Sequence, residues 1–306
     1  MGKIVLAGGS GFLGQALARS LLADGHEVVV LSRNASPSGG SGRFVHWDGR
    51  SLGDWKKELE GTEALFNLTG RSVDCRYTKA NRELILNSRV DSTRVLGEGI
   101  RGCAEIPKVW LNSSTATIYD DRRGDREPHD EASDDLGSGF SVGIAKAWEK
   151  AFWESVPDGV RQVALRASIV LGHEGGAFPV MKRFAKLGLG GAQGPGSQWM
   201  SWLHIDDWVG TARFLMNDAS IEGPVNLASP NPVTNASFMR EMRKVFAPLG
   251  LGLPAPTPAI HLGAFFMRTA PELVLKSRKV VSTVLKESGY EFKHPKISSA
   301  IEDLLD

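Results

Sequence analysis

Short, unbroken apolar runs alternate with longer amphipathic stretches over the first two-thirds of the chain. Lys3–Ala7, Glu27–Leu31, Phe44–His46, Ala64–Leu68, Val109–Ser113 and Gln162–Val170 read as strands, and Gly11–Ala23, Thr78–Arg101 and Ile144–Glu154 as helices. Consecutive β-branched residues such as Val28-Val29-Val30 predict strands covered on both faces, as in a parallel sheet. Repeated strand–helix alternation then predicts an α/β fold with a doubly wound sheet. After Leu171 the pattern changes. Gly188–Gly196 holds five glycines in nine residues, which marks a loop that turns tightly or approaches something closely. A helix is expected at Ile205–Met216, a short strand at Val225–Leu227 and a helix near Asn235–Phe246. The Pro-rich run Leu253–Pro258 reads as a connector into a final helical segment, Ala259–Leu305.

Composition narrows the class. The chain has 306 residues, enough for about two domains. Hydrophobic residues make up 42% and charged residues 23%, as in a packed globular protein. Lys and Arg number 36 against 35 Asp and Glu, a net charge of +1, so no cationic surface drives nucleic-acid binding. Two cysteines, Cys75 and Cys103, make no disulfide framework, and a reducing, cytoplasmic setting is expected. No signal peptide or membrane-length apolar run is evident, so no membrane partner is expected. The acidic stretch Asp120–Asp135 reads as a solvated, mobile loop after the fifth strand, one that could cover a site.

Lys3-Ile-Val-Leu-Ala-Gly8-Gly9-Ser10-Gly11-Phe12-Leu13-Gly14 carries the strongest chemical signal. A strand delivers the chain to a glycine turn and a helix starts at once. In such a turn Gly8 permits the tight reversal, Gly11 lets backbone approach a pyrophosphate, and Gly14 allows close helix–strand packing. The free N–H groups and dipole of the helix start suit phosphates. The second strand ends Val30-Leu31-Ser32-Arg33, without the carboxylate that bonds an NAD ribose. A hydroxyl followed by a guanidinium suits a 2′-phosphate, so NADP(H) is the expected cofactor.

The glycine turn, Asn67-Leu-Thr-Gly70, and Ser113-Ser-Thr-Ala-Thr-Ile-Tyr119 together resemble an extended short-chain dehydrogenase/reductase. Asn87–Thr93, Trp148-Glu149, Arg166–Gly172, Gly188–Gly196, Gln198–Asp207 and the tail Lys276–Leu305 narrow the resemblance to its atypical epimerase-family branch, which carries its own small C-terminal domain. That resemblance implies a Rossmann-type sheet. Residues 1–172, with parts of 199–230, would form the NADP-binding domain. Residues 173–198 and 231–306 would form a smaller substrate lobe. Gly8, Ser10, Gly11, Phe12, Leu13 and Gly14 would then touch the cofactor phosphates, and Ser32 and Arg33 the 2′-phosphate. Leu68, Thr69 and Gly70 would line the adenosine side, and Val170 would lie near the nicotinamide. Arg89 is a further cofactor candidate, or a charged residue on a helix surface.

The chain departs from the superfamily in its chemistry. A Tyr-x-x-x-Lys pair normally exchanges the proton while hydride moves. None of Tyr77, Tyr119 and Tyr290 has lysine four residues on. At the expected place the helix reads Val142-Gly-Ile-Ala-Lys146, which keeps a lysine and replaces the tyrosine with Val142. Thr115 matches the residue that hydrogen-bonds a substrate oxygen, or caps backbone at the end of its strand. Lys146 holds the nicotinamide ribose, or is a solvated helix lysine. His204 with Asp206 and Asp207 reads as a packed histidine followed by helix-capping carboxylates. The histidines show no paired ligand spacing, so no metal is expected. Trp199 and Trp202 suit either a substrate cleft or an inter-lobe core. An NADP(H)-dependent oxidoreductase or epimerase acting on a small-molecule substrate leads these readings. A catalytically degenerate NADP(H)-binding sensor or scaffold competes with it, as does a non-redox nucleotide enzyme on the same fold.

Overall fold

The computed structural model describes residues 1–34 and 39–305. Its elements run β1 (Lys3–Ala7), α1 (Phe12–Ala23), β2 (Glu27–Ser32), β3 (Arg43–His46), β4 (Ala64–Asn67), α2 (Lys79–Arg101), β5 (Val109–Thr115), α3 (Phe140–Ser155), β6 (Arg161–Ala167) and β7 (Ile169–Leu171). Next come α4 (Phe178–Lys186), β8 (Trp199–Met200), β9 (Trp202–His204), α5 (Ile205–Asn217), β10 (Gly223–Leu227), β11 (Val233–Thr234) and α6 (Asn235–Phe246). The C-terminal part holds α7 (Thr257–Met267), α8 (Glu272–Leu275), α9 (Thr283–Glu287) and α10 (Ile297–Asp303).

Seven strands form one parallel sheet in the order β10-β6-β5-β4-β1-β2-β3, a Rossmann-type topology. The two-residue period of β1 explains why its run is apolar throughout. Ile4 and Leu6 pack with Leu17 and Leu21 of α1 and Trp208 and Leu215 of α5. Val5 and Ala7 face the other way, onto Val95 and Leu96 of α2 and Phe152 of α3. Both faces are covered, so no polar position is available along the strand. A third core joins Phe178 and Ala185 of α4, Phe238, Met239 and Met242 of α6, and Ala300 and Ile301 of α10. Leu285 of α9 instead packs into the core of the large sheet.

Three expectations need correction. Gln162–Val170 is not one strand. Ser168 turns both its N–H and its hydroxyl onto the Leu227 carbonyl, so β6 ends at Ala167 and β7 leaves to pair with β9. The tail Ala259–Leu305 is not a continuous helical segment. Arg268 closes α7 in the left-handed region at φ 57°, and Pro271, Gly289 and Pro295 break the remainder into short pieces. Finally, Asp120–Asp135 is not a loosely solvated loop but is bound along its length to the tail. The His129 N–H donates to the Lys279 carbonyl and Val281 N–H to that of His129, while Glu131 accepts from Asn226 N, Ser282 Oγ and Thr283 N. The Ser277 hydroxyl donates to the Arg122 carbonyl. His129 itself is fully buried and stacks on Tyr119 at 4.9 Å.

Candidate functional site

Because β1, β2, β4 and β5 are parallel and aligned, their ends form one row. Ala7 is opposite Leu31 and Asn67, and Asn67 is opposite Asn112. Gly8, Ser32-Arg33 and Leu68–Gly70 lie at or just past that row, and β5 runs on beyond it through Ser113–Thr115, so one edge collects most of the candidate residues. Ligands of open α/β sheets bind at that carboxyl edge.

The glycine turn shows a division of labour. Gly8 sits at φ 74°, and a Cβ there would meet Thr69 at 2.9 Å. A Cβ at Gly14 would stand 2.4 Å from the Gly9 Cα, so this glycine lets α1 press onto the turn. Around Gly11 a Cβ would meet nothing within 4 Å, the open side of the turn. Gly11 is also the N-cap of α1 and supplies no side chain to cap it, which leaves the helix-start N–H groups at Phe12 and Leu13 without a side-chain acceptor. The Gln15 amide braces the turn, donating to the Gly9 carbonyl at 2.8 Å and accepting from Ser41 N at 2.7 Å. The Phe12 side chain packs onto a second glycine turn, where a Cβ at Gly172 or Gly175 would come within 2.5 Å or 2.7 Å of it. Ser10 is exposed at the tip of the turn.

Ser32 is buried and its hydroxyl accepts from Asn34 N, while Arg33 is exposed beside it. At the next strand end, the buried Asn67 amide donates to Thr93 Oγ1 and Asn112 Oδ1, and its carbonyl accepts from the N–H and hydroxyl of Thr69. This shapes the turn carrying Leu68, Thr69 and Gly70. Arg89 is no outward-facing helix charge. Its guanidinium would meet a Cβ at Gly70 at 3.0 Å, donates to the Arg71 and Ile85 carbonyls and lies 5.0 Å over Trp148. Burial brings its pKa down to about 10, still a cation at neutral pH. Val170 is buried in β7, and its carbonyl would lie 3.0 Å from a Cβ at Gly176.

The remaining catalytic candidates are not drawn together. The Thr115 hydroxyl accepts from Thr117 N at 3.1 Å and donates to Thr117 Oγ1 at 3.0 Å, capping the turn after β5. Lys146 is exposed and donates to the Gly137 carbonyl at 2.9 Å. It lines a depression with Lys150, Trp153 and Glu154, none of them a dinucleotide candidate. Val142 is buried. Behind Thr115, Ser114 and Arg166 both bond the Glu149 carboxylate, Arg166 through two bonds of 2.8 Å, and Arg166 also donates to the Tyr119 hydroxyl. Burial disfavours the Arg166 charge, but pairing with Glu149 outweighs it and raises the pKa further.

Scanning tyrosines for a lysine four residues on passed over Tyr77. Its ring packs edge-on against Phe140 at 4.8 Å, and its buried hydroxyl has no hydrogen-bond partner. Burial raises this phenol above its ordinary value, while nearby Ser141 and Arg278 pull the other way. Ser141 bonds Glu272 of α8, so α3 and the C-terminal segment both meet this phenol. Nothing local in Arg76-Tyr77-Thr78 signals that meeting. Trp199 and Trp202 divide the two roles considered for them. Trp202 is core, with Nε1 on the Asn231 carbonyl, and half-buried Trp199 bonds the Gly124 carbonyl. His204 caps α5, its Nδ1 accepting from Asp206 N, and burial pushes its pKa down to about 4. Asp207 accepts from the N–H groups of Lys293 and His294.

A glycine turn between the central strand and first helix of a parallel sheet, with its open side at the carboxyl edge, defines a dinucleotide-fold protein of the short-chain dehydrogenase/reductase type. The chain belongs to the NAD dependent epimerase/dehydratase family, whose pattern matches residues 4–228, and residues 255–304 match a domain of unknown function, DUF1731. It is 31% identical to the Bacillus subtilis epimerase family protein YfhF over 99% of this chain and 98% of that one. The human epimerase family protein SDR39U1 is 29% identical over 99% of each. A crystal structure of the human protein with NADPH superposes with a TM-score of 0.85, covering 99% of both chains at 28% identity. The Bacillus cereus UDP-N-acetylglucosamine 4-epimerase shares the fold alone, with a TM-score of 0.72 at 18% identity, covering 99% of this chain and 98% of that one. Among the described residues no helix is long and apolar enough to cross a membrane.

Proposed function

We propose that this protein is an NADP(H)-dependent oxidoreductase or epimerase acting on a small carbonyl or sugar-like substrate. The observation that carries the reading is the glycine turn, packed tight at Gly8 and Gly14 and open at Gly11, in front of an uncapped helix start. A diphosphate is the ligand that such a cradle accepts. The β2 end carries Ser32 and Arg33 where a carboxylate would repel a 2′-phosphate, and the human relative was crystallised with NADPH. A bound nicotinamide supplies hydride exchange. Arg89, against Gly70, adds a partly desolvated positive charge on the nucleotide side, and Val170, buried in β7, is assigned to the nicotinamide side.

Val142 is buried and cannot exchange a proton, and Lys146 points to an outer face. In this reading Thr115 gives the substrate oxygen a hydrogen bond by releasing its cap on Thr117, and Tyr77 supplies the proton that the missing phenol would have moved. A positioned proton donor is worth about 10²–10⁴-fold in rate. The sensor reading draws on the same absence of a Tyr-x-x-x-Lys pair. Anaerobic mixing with NADPH and a panel of carbonyls and nucleotide sugars separates the two. Substrate-dependent oxidation, slowed about a hundredfold or more in Tyr77→Phe and unchanged in Lys146→Ala, is expected. Tight NADPH binding with no turnover across the panel would establish the sensor instead.

A further inference from the structure

Away from the glycine turn, the end of β9 and the chain terminus bring together four groups that are scattered in sequence. One ligand atom from each of His204, Asp206, His294 and Asp303 lies within 4.8 Å of the others. Both histidines are buried, their rings 3.9 Å apart, and neither Nε2 has a hydrogen-bond partner. Two buried, unanswered ring nitrogens beside two half-exposed carboxylates are costly unless something joins them. His294 Nε2 is 3.8 Å from Asp206 Oδ2 and 4.0 Å from Asp303 Oδ2, and His204 Nε2 is 3.4 Å from Asp303 Oδ2.

We propose that His294, Asp206 and Asp303 bind a first-row divalent cation of the zinc or cobalt type, with His204 as an outer partner. The cap assigns the roles. His204 Nδ1 accepts from Asp206 N, so its neutral ring carries the proton on Nε2 and can donate to Asp303 but cannot coordinate. His294 Nε2 has no such constraint and is the nitrogen ligand. Zinc–ligand bonds of about 2.0–2.2 Å place neighbouring ligand atoms roughly 3.3–3.5 Å apart, so the two spacings from His294 need to close by about half an ångström, and the carboxylate pair starts within 4.8 Å. Both carboxylates are half exposed and can rotate inward. One imidazole with two carboxylates, and room for water on the exposed side, favours a borderline ion over calcium or magnesium, which take oxygen ligands. His204 donating to a ligating carboxylate is the usual way an outer group orients a metal ligand.

The site would join residues 204–206 to 294–303, holding the C-terminal helix against β9 and α5. Binding free energy at such a clasp adds to folding stability. Lys293 already bonds Asp206, so its ammonium competes with the cation. The test uses the untagged full chain, stripped with chelator and titrated with Co²⁺ and Zn²⁺ and, as controls, Mg²⁺ and Ca²⁺. Expected are visible cobalt bands and a raised Tm with Co²⁺ or Zn²⁺ only. Affinity should fall about ten-fold or more in His294→Gln and in Asp303→Asn, and rise in Lys293→Gln, with NADPH binding unchanged in all three. Asp303→Asn, at the protein rim, decides the matter if His294→Gln does not fold. Absence of cobalt bands in the wild type up to millimolar metal, or undiminished binding in Asp303→Asn, would overturn the proposal.

Discussion

The glycine turn and the helix α3 region contrast sharply, although both contribute to one edge of the sheet. In the turn the tightest relations are between residues close in sequence: Gly14 packs on Gly9 and Gly9 on Leu6, while Gly8 reaches out to Thr69 and Phe12 to Gly172 and Gly175. Around α3 the relations are remote. Ser141 bonds Glu272, 131 residues on, and Glu149 pairs directly with Arg166 of β6. A site built from local geometry can be read from spacing alone. One assembled by tertiary contact presents only residue types, as at Lys146, whose sequence position leaves its surroundings open and whose ammonium bonds the Gly137 carbonyl.

The contrast is broken most directly by paired glycine substitutions. Gly11→Val is expected to fold normally and lose measurable NADPH binding, because its side chain occupies the open side of the turn. Gly14→Val should instead fail to fold or lose several degrees of Tm, since even a Cβ would overlap Gly9. Calorimetric titration with circular dichroism of both variants checks the pair. Equal behaviour would erase the division of labour within the turn.

Across the sheet, Glu149→Ala is expected to cost about 3–5 kcal/mol, because it strands the buried Arg166 guanidinium. Urea unfolding measures it, and a loss below about 1 kcal/mol would mean that Arg166 finds water or another acceptor. At the nucleotide side, Arg33→Ala should weaken NADPH by about 1.5–3 kcal/mol, about ten- to a hundredfold, and leave NADH unchanged. Equal affinity of the wild type for both dinucleotides would contradict the 2′-phosphate assignment.

The smallest expected effect tests the tail's grip on the loop after β5. Burial, and next the Arg122 guanidinium, hold the His129 pKa below its ordinary value of 6.5. The unfolded chain therefore binds this proton more readily. Stability from His129 is fully present at neutral pH and falls as pH drops below about 6.5. His129→Gln should flatten that part of the stability profile in denaturant titrations between about pH 5 and pH 7.5. An unchanged slope would show that another group governs it.

Sequence by itself determined the alternation of strands and helices, the parallel sheet and the roles available to Gly8, Gly11 and Gly14. These come from apolar periodicity and from steric rules that act over a few residues. For Arg89 the sequence allows both cofactor and surface, because a helix position does not reveal which groove a long side chain enters. Only the tertiary structure turned it onto Gly70 and Trp148, sent Lys146 outward, buried Val142 and brought Tyr77 beside Ser141. The same holds for His204 and His294. Ninety residues separate them, no ligand spacing links them, and their rings meet only because the C-terminal segment returns to β9. Proximity of that kind is set by the packing of whole elements against one another, and no local stretch of chain encodes it.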